Sequence, residues 1–198
     1  MSRTFLRILA QRRPAPALTP DAPAREELEA VLRAAAGVGG QGLTWRVAVT
    51  TRRSAPELAA AMAGLRRVPD MTEPVQRLKG KQLRRLAAFR GSLKWASTGG
   101  MCCALIFSPD SGLPAPRKEQ RASAHGARAL LEAAFWAAGW GTVWTPRDGG
   151  DKAAVRAFYA LSEEERILGW LFVGHPPRGA AADHAATLPI VDPPVTYF

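Results

Sequence analysis

Apolar residues recur along this chain at two different periods. Phe5, Leu6, Ile8 and Leu9 fall at helical spacing and predict a short amphipathic helix over 2–12. Pro14, Pro16, Pro20 and Pro23 then force an extended segment. Leu28, Val31, Leu32 and Ala35 share one face of a helix predicted over 25–36, and the glycines at 37, 39, 40 and 42 end it in a loop. From Trp45 to Thr50 the period changes to two: Trp45, Val47 and Val49 alternate with Arg46, Ala48 and Thr50, which predicts a strand.

Ser54 to Leu65 is predicted helical, with Ser54 as N-cap and Glu57 completing a capping box. A basic helix is predicted over about 74–89. Met101 to Phe107 is apolar throughout and predicts a buried strand, followed by a Pro/Gly loop over 108–116. Residues 117–138 form the longest predicted helix, closed by Gly139. A short strand over 141–144, a helix over 151–159 and a buried strand over 167–174 follow. Residues 175–198 are rich in Pro and Ala and predict an arm that packs on another surface. Strands separated by helical material imply an α+β or α/β domain with one central sheet covered on both faces.

Composition narrows the function classes. The 198 residues suit one domain, and 47% hydrophobic with 22% charged residues is ordinary for a globular chain. No apolar run is long enough to span a bilayer, and arginines interrupt the apolar residues of the first thirteen positions, unlike a signal peptide. Cys102 and Cys103 are adjacent and would alternate faces in a strand. That excludes a disulfide framework and a cysteine-rich zinc site, and it permits a cytoplasmic location. The net charge is +10. A basic balance favours anionic partners: phosphorylated cofactors, nucleic acid or anionic lipid.

Between Pro74 and Ser97 there is no acidic residue, and Arg77, Lys81, Arg84 and Arg85 share one helical face opposite Leu78, Leu86 and Phe89. A solvated cationic face, a nucleic-acid or membrane patch, and a surface that guides an anionic cofactor all fit this pattern. No aromatic residue interleaves the charges on that face, which argues against nucleic acid. Trp136, Trp140 and Trp144 recur every fourth residue and predict core or interface packing. His125, His175 and His184 are scattered, and His175 and His184 are expected at the surface or in the tail. No metal-ligand spacing and no catalytic triad occur.

The run RKEQRASAHGARALLEAAFWAAGWGTVW from Arg117 to Trp144, followed by EEERILGWLFVGHP from Glu163 to Pro176, resembles the nitroreductase family of flavin enzymes. There a long core helix ends in a G-x-G-(S/T/G)-x-W turn, and a later strand ends in G-x-P. Gln11-Arg12-Arg13 before a Pro-rich segment resembles the family's R-R-S opening, and the ending DPPVTYF resembles the tail of its short YdjA-type members. The resemblance covers nearly the whole chain outside about 50–100. It implies an α+β nitroreductase-like fold over 1–198, with a central mixed sheet flanked by helices. It implies a homodimer too, with the 175–198 arm on the partner subunit. FMN would be the cofactor and NAD(P)H the co-substrate. The reaction would be reduction of a nitroaromatic or quinone-type small-molecule acceptor by ping-pong hydride transfer, the flavin rather than side chains carrying the chemistry.

On that resemblance Arg12, Arg13 and Arg147 hold the FMN phosphate and Thr145 adds a hydroxyl. Gly139, Gly141 and Trp144 shape the pocket, and Gln41 and Thr44 reach the pyrimidine edge. The chain also departs from the family pattern. Pro14 stands where a serine hydroxyl and a backbone N–H are expected. Thr145-Pro146-Arg147 replaces R-S-G after the turn tryptophan, and the 37–44 loop is shorter and less polar. These departures keep an alternative open: a flavin-less protein of the same fold, acting as a binding protein or as the inactive partner in a heterodimer.

Overall fold

A computed structural model describes residues 15, 17–37, 42–71, 80–146, 149–177 and 196. The helix expected over 2–12 lies outside the described residues, as does the arm apart from 175–177 and Thr196. The described elements, in chain order, are α1 (Arg25–Gly37), β1 (Trp45–Thr51), α2 (Ala55–Met62), α3 (Lys81–Ala96), β2 (Met101–Phe107), α4 (Arg117–Ala137), β3 (Gly141–Pro146), α5 (Ala153–Phe158) and β4 (Arg166–Gly174).

The strands form one sheet in the order β1-β2-β4-β3. Every described pairing is antiparallel, so the mixed sheet expected from the resemblance is not found among the described residues. β3 and β4 run side by side in opposite directions, with α5 in the connection between them. The architecture is α+β, with helices on both faces of the sheet.

Two clusters of buried side chains explain why β2 and β4 are apolar without alternation. On one face Met101, Cys103, Leu105 and Phe107 of β2 meet Leu28, Val31 and Ala35 of α1, and Ala124, Ala127, Leu131 and Phe135 of α4. On the other, Cys102, Ala104 and Ile106 meet Leu58 of α2, Leu86 and Phe89 of α3, and Val155 of α5. A central strand covered on both sides has no polar face to show. Both thiols are free and buried, and burial pushes the Cys103 thiol up to about 12.

The register of β2 on β4 shifts between Leu105 and Ile106, where Leu105 faces Gly169 and Ile106 faces Ile167. Leu168 is the extra residue of this bulge. It turns into the α1/α4 cluster.

Two helices differ from expectation. Ser54 does not close a capping box: its φ of −96° and ψ of 2° are not extended, and its hydroxyl instead accepts from the Thr51 N–H at 3.2 Å. The basic helix is described from Lys81 and continues to Ala96 rather than stopping at Phe89. Trp95 explains the extension, packing edge-on against Trp170 and Phe172 at centroid separations of 5.1 and 5.2 Å.

One end of the sheet is closed by the chain's own early residues. The Thr19 N–H donates to the His175 carbonyl at 2.8 Å, and the Thr19 hydroxyl accepts from the His175 N–H at 3.2 Å. A Cβ at Gly100 would collide with the Asp21 carbonyl, and one at Gly174 would come within 2.5 Å of the Thr19 carbonyl. Only glycine lets the segment lie this close.

Candidate functional site

The turn between α4 and β3 is built by helix termination. The Gly139 N–H bonds to the Trp136 carbonyl and the Trp140 N–H to that of Phe135, with Gly139 at φ +87°. These paired bonds and the left-handed glycine are the Schellman arrangement. Because α4 ends at Ala137, the tryptophans at 136, 140 and 144 do not form one helical stripe.

Trp140 is buried, and its Nε1 donates to Glu27 of α1 at 2.8 Å. The exposed ring of His175 stacks on it at 4.0 Å with planes 14° apart, and His175 Nδ1 lies 3.2 Å from the Gly139 carbonyl oxygen. Sequence spacing does not show this array, since Glu27, Trp140 and His175 come from three separate elements. Of the other histidines, His125 is exposed on α4 and His184 lies outside the described residues.

Gly141 opens β3 opposite Gly174. Its missing side chain admits protein: a Cβ there would lie 3.1 Å from Ala15 and Leu18 and 3.2 Å from Pro176. The close approach at Gly141 is therefore taken by the chain itself. Gly139 has nothing within 4 Å of an added Cβ.

Beyond Gly141 the strand divides its side chains between the two faces. Trp144 lies on the α1/α4 face, under the Arg128 guanidinium at 4.8 Å from the ring centroid. Thr145 points to the opposite face. It lines an open cleft of about 310 Å³ with Met62, Gly91, Ser92 and Trp95. Pro146 is exposed and ends the strand at the sheet edge, where its missing N–H is tolerated. Thr145 and Trp144 are thus neighbours in sequence that serve different sides of the sheet.

Thr44 lies at the far end of the sheet from Gly141, beside the Trp45–Phe107 pair. It is 3% exposed and its hydroxyl donates to the Gln120 carbonyl at 3.0 Å. That bond ties the start of β1 to α4. Arg12, Arg13, Pro14, Gln41 and Arg147 lie outside the described residues.

A second polar cluster sits at the β1/β4 end. Glu165 takes two bonds from Arg46, at 2.6 and 3.0 Å, and a third from the Ser162 N–H at 3.0 Å. The Arg46 guanidinium and the backbone donor hold its carboxyl down at about 2, against the opposing effect of burial. Arg156 bonds the Glu165 carbonyl at 3.1 Å. The network ties Arg46 of β1 to the residue before β4. Sequence reasoning missed it, because Arg46 and Glu165 are 119 residues apart.

A flavin needs cations or N–H donors for its phosphate, polar groups for its ring edge and a flat apolar wall. The cleft at Thr145 is lined by Met62, Gly91, Ser92, Trp95 and Thr145, with no cation among them. Among the described residues no group of three or more His, Cys, Asp or Glu could hold a metal, and no helix is long and apolar enough to cross a membrane.

No protein-family model and no curated protein sequence matches the chain. Solved structures do. The nitroreductase-like family protein from Bacillus cereus superposes with a TM-score of 0.65 at 17% identity, over 88% of this chain and 87% of that one. The FMN-dependent nitroreductase NfnB from Mycobacterium smegmatis, in complex with NADPH, superposes at 0.59 and 19% identity over 95% of each chain. A mutant of the FMN- and NADPH-dependent nitroreductase NfnB from a Sphigopyxis strain does so at 0.59 and 18%, over 99% of this chain and 96% of that one. The fold is that of the nitroreductase-like proteins.

Proposed function

We propose that this chain is an FMN-dependent NAD(P)H oxidoreductase of nitroreductase type. It acts as a homodimer on small electron-poor acceptors such as nitroaromatics or quinones. The observation that supports the reading best is the superposition on FMN-dependent NfnB, which runs over 95% of both chains. The bound flavin would supply hydride acceptance from the nicotinamide and donation to the acceptor.

The residues of this chain bind and orient. Arg12, Arg13 and Arg147 neutralise the phosphate by charge-assisted hydrogen bonds, and Thr145 adds a hydroxyl from β3. Gln41 serves the pyrimidine edge. The Schellman turn at Gly139 fixes where β3 begins, and so where Thr145 and Pro146 are delivered. Trp144, clamped between Arg128 and Gly169, keeps that strand from shifting. No protein acid or base is required, and the six residues of β3 include none. The residues at 188–198 pack on the partner subunit, since Val195, Tyr197 and Phe198 give that end an apolar character.

Two observations favour a second reading, a flavin-less protein of the same fold. The Thr44 hydroxyl is buried on Gln120, and the approach at Gly141 is filled by Ala15, Leu18 and Pro176. One measurement decides. Purified protein that absorbs near ~450 nm, and whose band bleaches anaerobically with NADH or NADPH, supports the oxidoreductase. A colourless protein that takes up no added FMN supports the binding protein.

A further inference from the structure

α3 rests on the body of the protein by a narrow stripe. Of its 16 residues Leu86, Phe89 and Ala96 are buried, with Leu93 and Trp95 half-buried beside them. The outward side carries two rows set by the 3.6-residue repeat. Lys81, Arg84 and Ala88 fall in one row and Leu83, Ala87, Arg90 and Lys94 in the next, all of them exposed. Leu83 is thus a large aliphatic side chain, 40% exposed, set among cations.

Several cations elsewhere are bonded to the protein itself. Arg25, Arg46, Arg117 and Arg128 pair with glutamates, and Arg52, Lys152, Arg156 and Arg166 donate to backbone carbonyls. Among the described residues Lys81, Arg84, Arg90 and Lys94 make no ion pair, and α3 contains no acid. Their charge is left for an anion outside the chain. Aliphatic exposure gathers in the same place. Val68 and Met71 belong to the stretch that walls a cleft with Gln82, Arg85 and Leu86 of α3. With Leu83 they are three of the five large hydrophobics exposed among the described residues.

Cations around protruding aliphatic side chains on a convex helix suit a flat, fluid, anionic surface. The aliphatic tips sink into it while Lys and Arg stay at the level of the phosphates. Nucleic acid would call for outward aromatic rings on which bases stack, but Phe89 is buried and Trp95 packs on Trp170 and Phe172. We propose that the outward face of α3 docks this protein on anionic lipid bilayers, with Leu83 entering the headgroup layer and Lys81, Arg84, Arg90 and Lys94 meeting lipid phosphates. The contact is peripheral, and it holds whether or not the protein carries flavin.

The full-length protein is sedimented with vesicles of phosphatidylcholine alone or with about 30% phosphatidylglycerol. Binding is expected to the anionic vesicles only, and it should fall steeply between ~0.05 and ~0.5 M salt. Arg84→Gln/Arg90→Gln should weaken it about tenfold or more, at about three- to fivefold per cation. Lys118→Gln/Arg121→Gln, which removes the same charge from α4, should change it by less than about twofold. Leu83→Ser should weaken binding about threefold and Leu83→Trp should strengthen it by about as much. The gain in Leu83→Trp cannot come from a damaged fold. Equal binding to neutral vesicles overturns the proposal, as does equal weakening by the α3 and α4 pairs. Leu83 variants that bind like wild type overturn it too. So does a single-stranded oligonucleotide that binds through the same residues more tightly than the vesicles, which would mark a nucleic-acid surface instead.

Discussion

The indole of Trp144 occupies the space where a side chain at residue 169 would be. A Cβ built on Gly169 comes within 2.6 Å of the Trp144 ring and of the Thr145 carbonyl oxygen. The bulge at Leu168 places Gly169 on this face, so a glycine in the middle of a buried strand is required by its neighbour rather than by its own backbone.

Gly169→Ala should therefore cost about 1–3 kcal/mol through overpacking. In a Trp144→Leu background the ring clash goes and only the carbonyl contact remains, so the cost should fall. Denaturant melts of the two single variants and the double variant measure the coupling. Additive costs would show that the ring is not what excludes the methyl.

Gly100→Ala should be harder to accommodate, because the Asp21 carbonyl lies closer to the added Cβ than any atom does at Gly169. About 3 kcal/mol is expected by the same overpacking mechanism. Limited proteolysis should then cut within residues 17–24, which wild type holds against the sheet. Unchanged resistance would mean that the segment is held by something other than this fit.

Glu165 predicts a pH dependence. Its carboxyl is held at about 2, below its ordinary value of 4.5, so the folded state prefers it ionised. The stabilisation is fully present above about pH 4.5 and is lost as pH falls towards 2. Glu165→Gln should remove about 1.5–3 kcal/mol near neutral pH, the usual worth of bonds to a charged group. It should also flatten the acid limb of the stability curve. A variant that keeps the wild-type slope between pH 4.5 and 2 would remove Glu165 as its source.

The proposed FMN phosphate site has its own test. Arg12→Ala should lower FMN affinity about tenfold or more, since one charge-assisted bond is worth at least ~1.4 kcal/mol. Pro14→Ser restores a hydroxyl and an N–H and should tighten binding. Flavin fluorescence quenching in apo-protein reads both. Tight binding that Arg12→Ala leaves untouched would move the phosphate elsewhere.

Truncating residues 188–198 should weaken the proposed dimer. Sedimentation at several protein concentrations checks it, and an unaltered dimer of unaltered stability would dismiss the arm.

What could be read in advance follows from range. β2 and the β4 core announced themselves because continuous apolar runs such as Met101–Phe107 report burial on both faces. α4 was legible from its 3.6-residue pattern and Gly139. The far limit of α3 was not: Gly91 and Ser92 look like a stop, and only the contacts of Trp95 with Trp170 and Phe172 carry the helix through them. Ser54 failed as a cap because local sequence does not fix its φ and ψ. At the candidate site the order of residues along β3 was readable, but not which face each side chain takes. Nor could sequence show that Thr44 is bound to Gln120, a partner 76 residues away.

The bond between Thr19 and His175 spans 156 residues, and that separation has a consequence for synthesis. A chain emerging from a ribosome presents Thr19 and Asp21 long before Gly100 and Gly174 exist to receive them. The early segment stays hydrogen-bonded to water until β4 has been made, and can dock only then. A stall or truncation anywhere before residue 174 would leave the apolar end of the half-built sheet uncovered and open to chaperones or to self-association.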